Sequence, residues 1–480
     1  MTKAKACTLA LLLSGLLAAP AKFSAQATKL TAEQQLAHDI YQQLIEINTS
    51  DSVGNCTAAA EAMAARLKAV GFAVEDVKVL GPNPRKGNLV ARLRGTGARK
   101  PMLLLAHLDV VEARREDWTF DPFKFLEKDG YYYGRGTADD KAMAAIFIAN
   151  LIRFKRDGFK PDRDIIVALT ADEEGGNFNG VDWLLKNHPE LIQAELGLNE
   201  GGGGAIRNGK KLFNSVQASE KVYQSFLLEV KSKGGHSSRP VKDNAIYHLA
   251  DGLQKLAAFD FPVNLNEVTR AYFERVAKLE SGETAAAMKG IVTNPPDAKS
   301  VAFLGNIPAY NATMRTTCVA TMLEGGHAEN ALPQTARATV NCRILPTETA
   351  EYVKETLVKV VNNSRITMTP IREPKPSPPS PLAADVMGPI ERVSAEMWPG
   401  IPVVPVMSTG ATDSLYLRKM GIPMYGTSGI FNDIDDSRSH GKDERVGVKE
   451  FYDGQEFLYR LVKTLAAPNS KPNPAASTNR

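Results

Sequence analysis

Three short apolar runs, in NLVARLRG, PMLLLAHLDVV and DIIVALTADEE, are bounded by turn residues, and between the last two lies AMAAIFIANLIRFKRDG, closed by Gly158 and Pro161. The lengths and flanks of the runs predict buried strands, and the longer stretch predicts a helix. Ahead of them, TAEQQLAHDIYQQLIEI and CTAAAEAMAARLKAVGF have amphipathic helical patterns. Strands alternating with helices restrict such a chain to an α/β domain with a mostly parallel central sheet.

The pattern changes near residue 216. YQSFLLEVKSK and ARATVNCRILP alternate like half-buried strands, RITMTPI is strand-like, and NAIYHLADGLQKLAAF and YVKETLVKVVNN are helical. Strands with helices on one face predict a small α+β domain inserted into the first. The Pro-rich EPKPSPPSPL reads as the linker back, and IERVSAEM, IPVVPVMST and FYDGQEFLYRLVKTL complete the α/β domain. The expected organisation is a signal peptide at 1–27, catalytic domain at 28–215, inserted domain at 216–372, the rest of the catalytic domain at 373–466, and a disordered tail at 467–480.

The signal-peptide reading rests on the basic start MTKAKA, the short apolar CTLALLLSGLLAAPA, and a small-x-small site at Ala25-Gln26-Ala27, with Ala19-Pro20-Ala21 as the alternative. The apolar run is short for a membrane span, so the expectation is an exported protein, periplasmic or secreted, without stable membrane insertion. A net charge of +4 over 480 residues, with the basic residues dispersed, argues against nucleic acid as a partner. With Cys7 removed, Cys56, Cys318 and Cys342 form neither a disulfide scaffold nor a CxxC site. A Cys318–Cys342 bridge stays open, since sequence does not supply the geometry it needs.

Unusual polar residues mark the strand ends. His107 and Asp109 interrupt LLLAHLDVV, Asp172, Glu173 and Glu174 follow IIVALT, and Glu200 follows AELGLN and precedes four glycines that let the backbone approach something closely. Asp139 and Asp140 stand side by side before the apolar helix, where Lys141 can neutralise at most one of them, and His440 lies in SRSHGKDERV. Singly, each has a plain explanation: a structural histidine, a solvated helix start, a loop. Gathered at one cleft, so many carboxylates need cations, and imidazole with carboxylate is the ligand set of zinc.

These residues fall in motifs that resemble the co-catalytic dizinc exopeptidases, the family of glutamate carboxypeptidase, aminoacylase, carnosinase-type dipeptidases and succinyl-diaminopimelate desuccinylase. The motifs are AHLDVV, GRGTADDKA, TADEEGG, NEGGG, GGHSSRP, GGHAENALPQTARATVNCRILP, TGATDSLY and SHGKDERV, in family order over most of the chain. The resemblance implies two Zn2+ ions, with Co2+ or Mn2+ as substitutes. Asp139 would bridge them, with His107 and Glu200 on one and Glu174 and His440 on the other. It implies a cis Asp139–Asp140 peptide, Asp109 orienting His107, and Glu173 as the general base that hands a proton to the leaving amine. The inserted domain becomes a ferredoxin-like lid and dimerisation domain. Its His236 would reach the partner's active site in a homodimer and stabilise the oxyanion. Asn330 and Arg343 would bind the substrate carboxylate, and the backbone amides of Gly410, Ala411 and Thr412 would face the substrate.

Glu200, rather than Asp, resembles the aminoacylase, desuccinylase and glutamate carboxypeptidase branches. The extra FPVNLNEVTRAYFERVAKLESGETAAAMKG sits where it can shape the cleft. The activity expected is a carboxypeptidase acting on short peptides. An N-acyl-amino-acid amidohydrolase or a dipeptidase is the alternative. A catalytically dead binding protein would lack a ligand or the base, and none is missing.

Overall fold

The computed structural model describes residues 29–467. The expected signal peptide and all but the first residue of the expected tail lie outside the described residues.

The first part of the chain opens with helix α1 (Ala32–Glu46), started by a reciprocal capping box between Thr31 and Gln34, and helix α2 (Cys56–Ala69). Strands β1 (Val77–Leu80), β2 (Asn88–Leu93) and β3 (Met102–His107) follow, and helix α3 (Lys141–Arg156) leads to β4 (Ile165–Thr170), β5 (Leu196–Asn199), β6 (Gly204–Arg207) and the long β7 (Lys210–Glu220). Every residue of β3 and β4 is buried, and α3 is buried nearly all round, which is why its sequence is apolar on every face.

The inserted part begins at once after β7. Strand β8 (Val222–Lys231) and helix α4 (Ala245–Ala257) precede four short helices, α5 (Glu267–Val276), α6 (Gly282–Ile291), α7 (Ala298–Gly305) and α8 (Pro308–Met314). Then come β9 (Thr317–Gly325), β10 (Thr335–Ile344), helix α9 (Ala350–Val361) and β11 (Ile366–Pro370). The four strands form one sheet in the order β9-β10-β8-β11, antiparallel throughout. With α4 and α9 this is a ferredoxin-like βαββαβ unit. Cys318 and Cys342 are paired across β9 and β10 and form a disulfide.

The helices α5–α8 do not join that unit's core. Phe273, Val276, Met288 and Leu304 pack instead around Val404 of β12 (Val403–Ser408), on the larger sheet. Arg275 Nη1 fastens the contact, bonding Glu391 and the Val403 carbonyl at 2.7 Å each. The extra segment expected to shape the cleft thus folds as helices that cover β12 of the larger sheet.

The chain returns through residues 371–383, which are stitched down: Ser377 and Ser380 are buried, and the Ser380 amide donates to the Ala218 carbonyl at 2.7 Å. Helix α10 (Ala384–Met397), β12, helix α11 (Ser414–Lys419), β13 (Met424–Gly426), β14 (Phe431–Asp433) and helix α12 (Val448–Ala466) finish the larger domain. Its sheet runs β1-β2-β4-β3-β5-β13-β7-β6-β14, with β12 beside β7. The centre, β4-β3-β5-β13, is parallel, and antiparallel pairs flank it. No helix among the described residues is long and apolar enough to cross a membrane.

Candidate metal centre

Because β4, β3 and β5 run parallel, their carboxyl ends share one edge, where ligands of open α/β sheets gather. His107 ends β3, Asp172-Glu173-Glu174 follow β4 by one residue, and Glu200 follows β5 directly. Asp139 arrives from the turn before α3, through a cis peptide to Asp140, and His440 from a loop after β14, with φ +62°.

These side chains meet. His107 Nε2 lies 3.0 Å from Asp139 Oδ1 and 4.0 Å from Glu200 Oε1. His440 Nε2 lies 3.1 Å from the other oxygen of Asp139 and 2.8 Å from Glu174 Oε1. Ligand atoms of His107, Asp139 and Glu174 fall within 4.8 Å of one another, as do those of His107, Glu173 and Glu200. The Asp139 carboxylate thus stands between two imidazoles, one oxygen to each.

The cluster carries more negative charge than the protein neutralises. Burial pushes the Glu173 carboxyl up to about 9 and that of Glu174 up to about 7, and neighbouring carboxylates add to both. Burial and the charge of Asp139 likewise hold Glu200 well above the usual carboxylate range. Asp139 goes the other way: burial raises it, but hydrogen bonds from His107 and His440 outweigh that and hold it low. Lys141 offers no relief. It is fully buried and turns away, its ammonium donating to the carbonyls of Leu44 and Ile47 at 2.9 and 2.8 Å, at the end of α1. Asp140 is buried with Oδ2 lacking a hydrogen-bond partner, and burial raises its carboxyl strongly. A carboxylate-rich, imidazole-containing donor set at this spacing fits divalent cations.

Several supports were not legible in the sequence. Asp109 was expected to orient His107, yet the nearer partner of His107 Nδ1 is the Asp109 backbone carbonyl at 2.9 Å, with the carboxylate at 3.7 Å. That carboxylate instead accepts the backbone amides of Glu173 and Glu174, at 3.1 and 2.9 Å. Glu444, fully buried against Arg135 at 2.6 Å, accepts the amides of Gly136, Ala138 and Asp139. Arg135 also donates to the carbonyl of Gly441 beside His440, at 3.1 Å. Lys86 pairs with Asp172, and Asp413 accepts from Thr170 and Asn179. Of these, Asp109 and Asp172 stand out in the sequence as acidic residues at the ends of apolar runs, whereas Lys86 in NPRKGN and Glu444 in GKDERVG carry no such signal. The glycines after Glu200 serve packing: a Cβ on Gly202 would lie 2.1 Å from the Gly426 carbonyl of β13.

The remaining expected residues lie apart from this cluster or are partly engaged. His236 and Asn330 are exposed neighbours on the inserted domain, held by a short ladder of Gly235–His236 with Ala331–Leu332. Among the described residues, no hydrogen bond or ion pair joins either to His107, Asp139, Glu174, Glu200 or His440. Arg343 donates to the Thr409 carbonyl at 3.4 Å, and its guanidinium lies over the Tyr223 ring. Of the three loop amides expected to face substrate, two are spent inside the protein. Gly410 donates to Ser408 Oγ at 3.0 Å, and Thr412 donates to Glu220 Oε2 at 2.9 Å, where a buried carboxylate needs donors. Only the Ala411 amide has no hydrogen bond among the described residues.

Strand-end imidazoles and carboxylates with a glutamate at their side define a metal-dependent hydrolase. The model described as Peptidase family M20/M25/M40 matches residues 103–464, and the chain belongs to that family. It is 30% identical over 377 residues to the human N-fatty-acyl-amino acid synthase/hydrolase PM20D1, covering 76% of this chain and 74% of the relative. It is 26% identical over 409 residues to carboxypeptidase S of Saccharomyces cerevisiae, covering 76% and 71%. The M20 family metallo-carboxypeptidase Sso-CP2 of Sulfolobus solfataricus shares the fold, with a TM-score of 0.64 at 18% identity over 91% of this chain and 100% of that one. The protein is a metallo-exopeptidase or amidohydrolase of a metal-dependent, typically dinuclear family.

Proposed function

We propose that this protein cleaves the amide bond that joins an acyl group to a free α-amino acid, releasing the amino acid. The observation that carries the reading is Glu173, a half-buried carboxylate fixed through its backbone amide to Asp109 and set beside His107 and Glu200. His107, Asp139 and Glu200 would hold one zinc ion and Asp139, Glu174 and His440 a second, with Co2+ or Mn2+ able to replace them. Bound there, the ions supply Lewis acidity and lower the pKa of water. Glu173 takes the proton of the attacking water and delivers it to the departing amine. Arg343 receives the substrate carboxylate, and Ala411 contributes its free amide.

Our first reading of the acyl group is a short peptide, which makes the activity a carboxypeptidase. The second is a fatty acyl chain, favoured by the likeness to N-fatty-acyl-amino acid synthase/hydrolases. A panel pairing dipeptides with N-acyl amino acids tests both: turnover of only one group selects that reading, and turnover of neither rejects the proposal.

We also propose a homodimer. His236 Nδ1 accepts the Ser238 amide at 3.2 Å, so the ring proton sits on Nε2, ready to donate to an oxyanion in the partner's site. Strand β9 is an edge with Val319, Met322 and Leu323 exposed, a template for pairing with a second copy. Sedimentation that finds an active monomer rejects this. Export is supported by the Cys318–Cys342 disulfide, the product of an oxidising compartment. N-terminal sequencing of the mature protein tests it, since a chain retaining Met1 in the cytoplasm would contradict export.

A further inference from the structure

Glu220, the last residue of β7, has no solvent-exposed surface. A carboxylate there costs several kcal/mol unless donors surround it, and donors from separate segments converge on it. Oε1 accepts the Ser377 hydroxyl at 2.8 Å and lies 3.1 Å from Arg418 Nη1. Oε2 accepts the Thr412 amide at 2.9 Å and the Thr412 hydroxyl at 3.0 Å, with the Gln217 amide at 3.4 Å.

The location gives the cluster its meaning. Glu220 is two residues before β8, where the chain leaves for the inserted domain. Ser377 lies on the return segment, so both connections between the two domains touch one carboxylate. The third partner, Thr412, belongs to the loop whose Thr409 carbonyl meets Arg343 and whose Ala411 amide is free. An apolar side chain at this position could fill space, but it could not hold an amide and a hydroxyl of one residue at fixed angles.

We propose that Glu220 is a positioning residue for substrate binding, fixing the Thr409–Thr412 loop to the junction of the two domains so that the Ala411 amide and Arg343 address the substrate carboxylate together. The inference rests on the carboxylate-binding role given above to Arg343 and Ala411. Glu220 touches neither the reacting atoms nor the metal ligands. Contacts to a remote carboxylate act alike on the bound substrate and on the transition state, so loosening them raises KM more than it lowers kcat.

The test uses the metal-loaded enzyme and whichever panel substrate the wild type cleaves. Glu220→Gln is expected to keep its metal content and raise KM about tenfold, the scale of one charge-assisted hydrogen bond, with kcat changed less than about threefold. Thr412→Val, which removes only the hydroxyl, should shift KM the same way by a smaller factor, with Thr412→Ser restoring it. Hydrogen exchange supplies a readout that needs no substrate: in Glu220→Gln, amides of residues 409–412 should exchange faster while β3 and β4 stay protected. An unchanged KM with an unchanged loop, or a loss of kcat in step with lost metal, overturns the proposal. If Glu220→Gln does not fold, Thr412→Val decides alone, and an unaltered KM there overturns it. If the wild type cleaves nothing, the functional reading has failed, and the exchange experiment still tests the loop anchor.

Discussion

The Oδ1 of Asp109 accepts the backbone N–H of Glu173 at 3.1 Å, so the end of β3, which carries one histidine of the cluster, also fixes the glutamate at the end of β4. The other oxygen accepts the amide of Glu174 at 2.9 Å. One buried carboxylate therefore holds the backbone of both Glu173, the proposed base, and Glu174, a proposed metal ligand.

Asp109→Asn keeps the size but loses the charge and turns one oxygen into a donor that would face an amide N–H. We predict a loss of about 10- to 100-fold in kcat/KM or metal affinity, the range for groups that orient metal ligands. Parallel titration of metal content and activity measures it. A variant equal to wild type in both would show that the two amides need no anchor.

Lys221 sits at the domain junction with 1% of its surface exposed, its ammonium donating to the Arg315 carbonyl at 2.6 Å. Burial lowers its pKa from 10.5 to about 7. Between those values the unfolded chain holds the proton more tightly, so stability rises with pH across this window, and the cost of burying the charge is fully present below it. Lys221→Met should therefore stabilise the fold near pH 6.5 by about 1–4 kcal/mol, with the gain shrinking toward pH 10. Urea midpoints at the two pH values check this, and a pH-independent difference would contradict it.

The Cys318–Cys342 bridge closes a segment of sequence separation 24. Replacing both cysteines by serine should destabilise the inserted domain by about 2–4 kcal/mol, the usual worth of such a bridge. Denaturant unfolding of wild type and variant under non-reducing conditions measures the difference. Equal midpoints would show that β9 and β10 hold each other without it.

Much of this architecture could be read from the sequence because burial writes itself into apolar runs. The β3 and β4 runs are continuous, so a histidine or aspartate at their ends stands out, and parallel neighbours bring those ends together. Where burial is partial the signal fades. Strand β9 was not foreseen: it is an edge strand, exposed along most of its length, and carries no inward alternation. The sequence allowed Lys141 to neutralise at most one of the aspartates beside it, and the first turn of α3 sends it to α1 instead. The Pro-rich segment at 373–382 read as a linker, because proline marks irregular backbone but not whether Ser377 and Ser380 are buried in it. The destination of the Thr412 amide depended on Glu220, 192 residues away in sequence, and no local pattern connects them.

The proposed chemistry requires Glu173 to act as the base beside two metal ions. The direct test is the metal content and turnover of wild type and Glu173→Gln on the same preparations. We predict about two metal ions per chain in both proteins, with turnover of the variant lower by at least about 100-fold, the lower range for general acid–base catalysis. A variant as active as wild type, or an active wild type with no bound metal, would contradict the account.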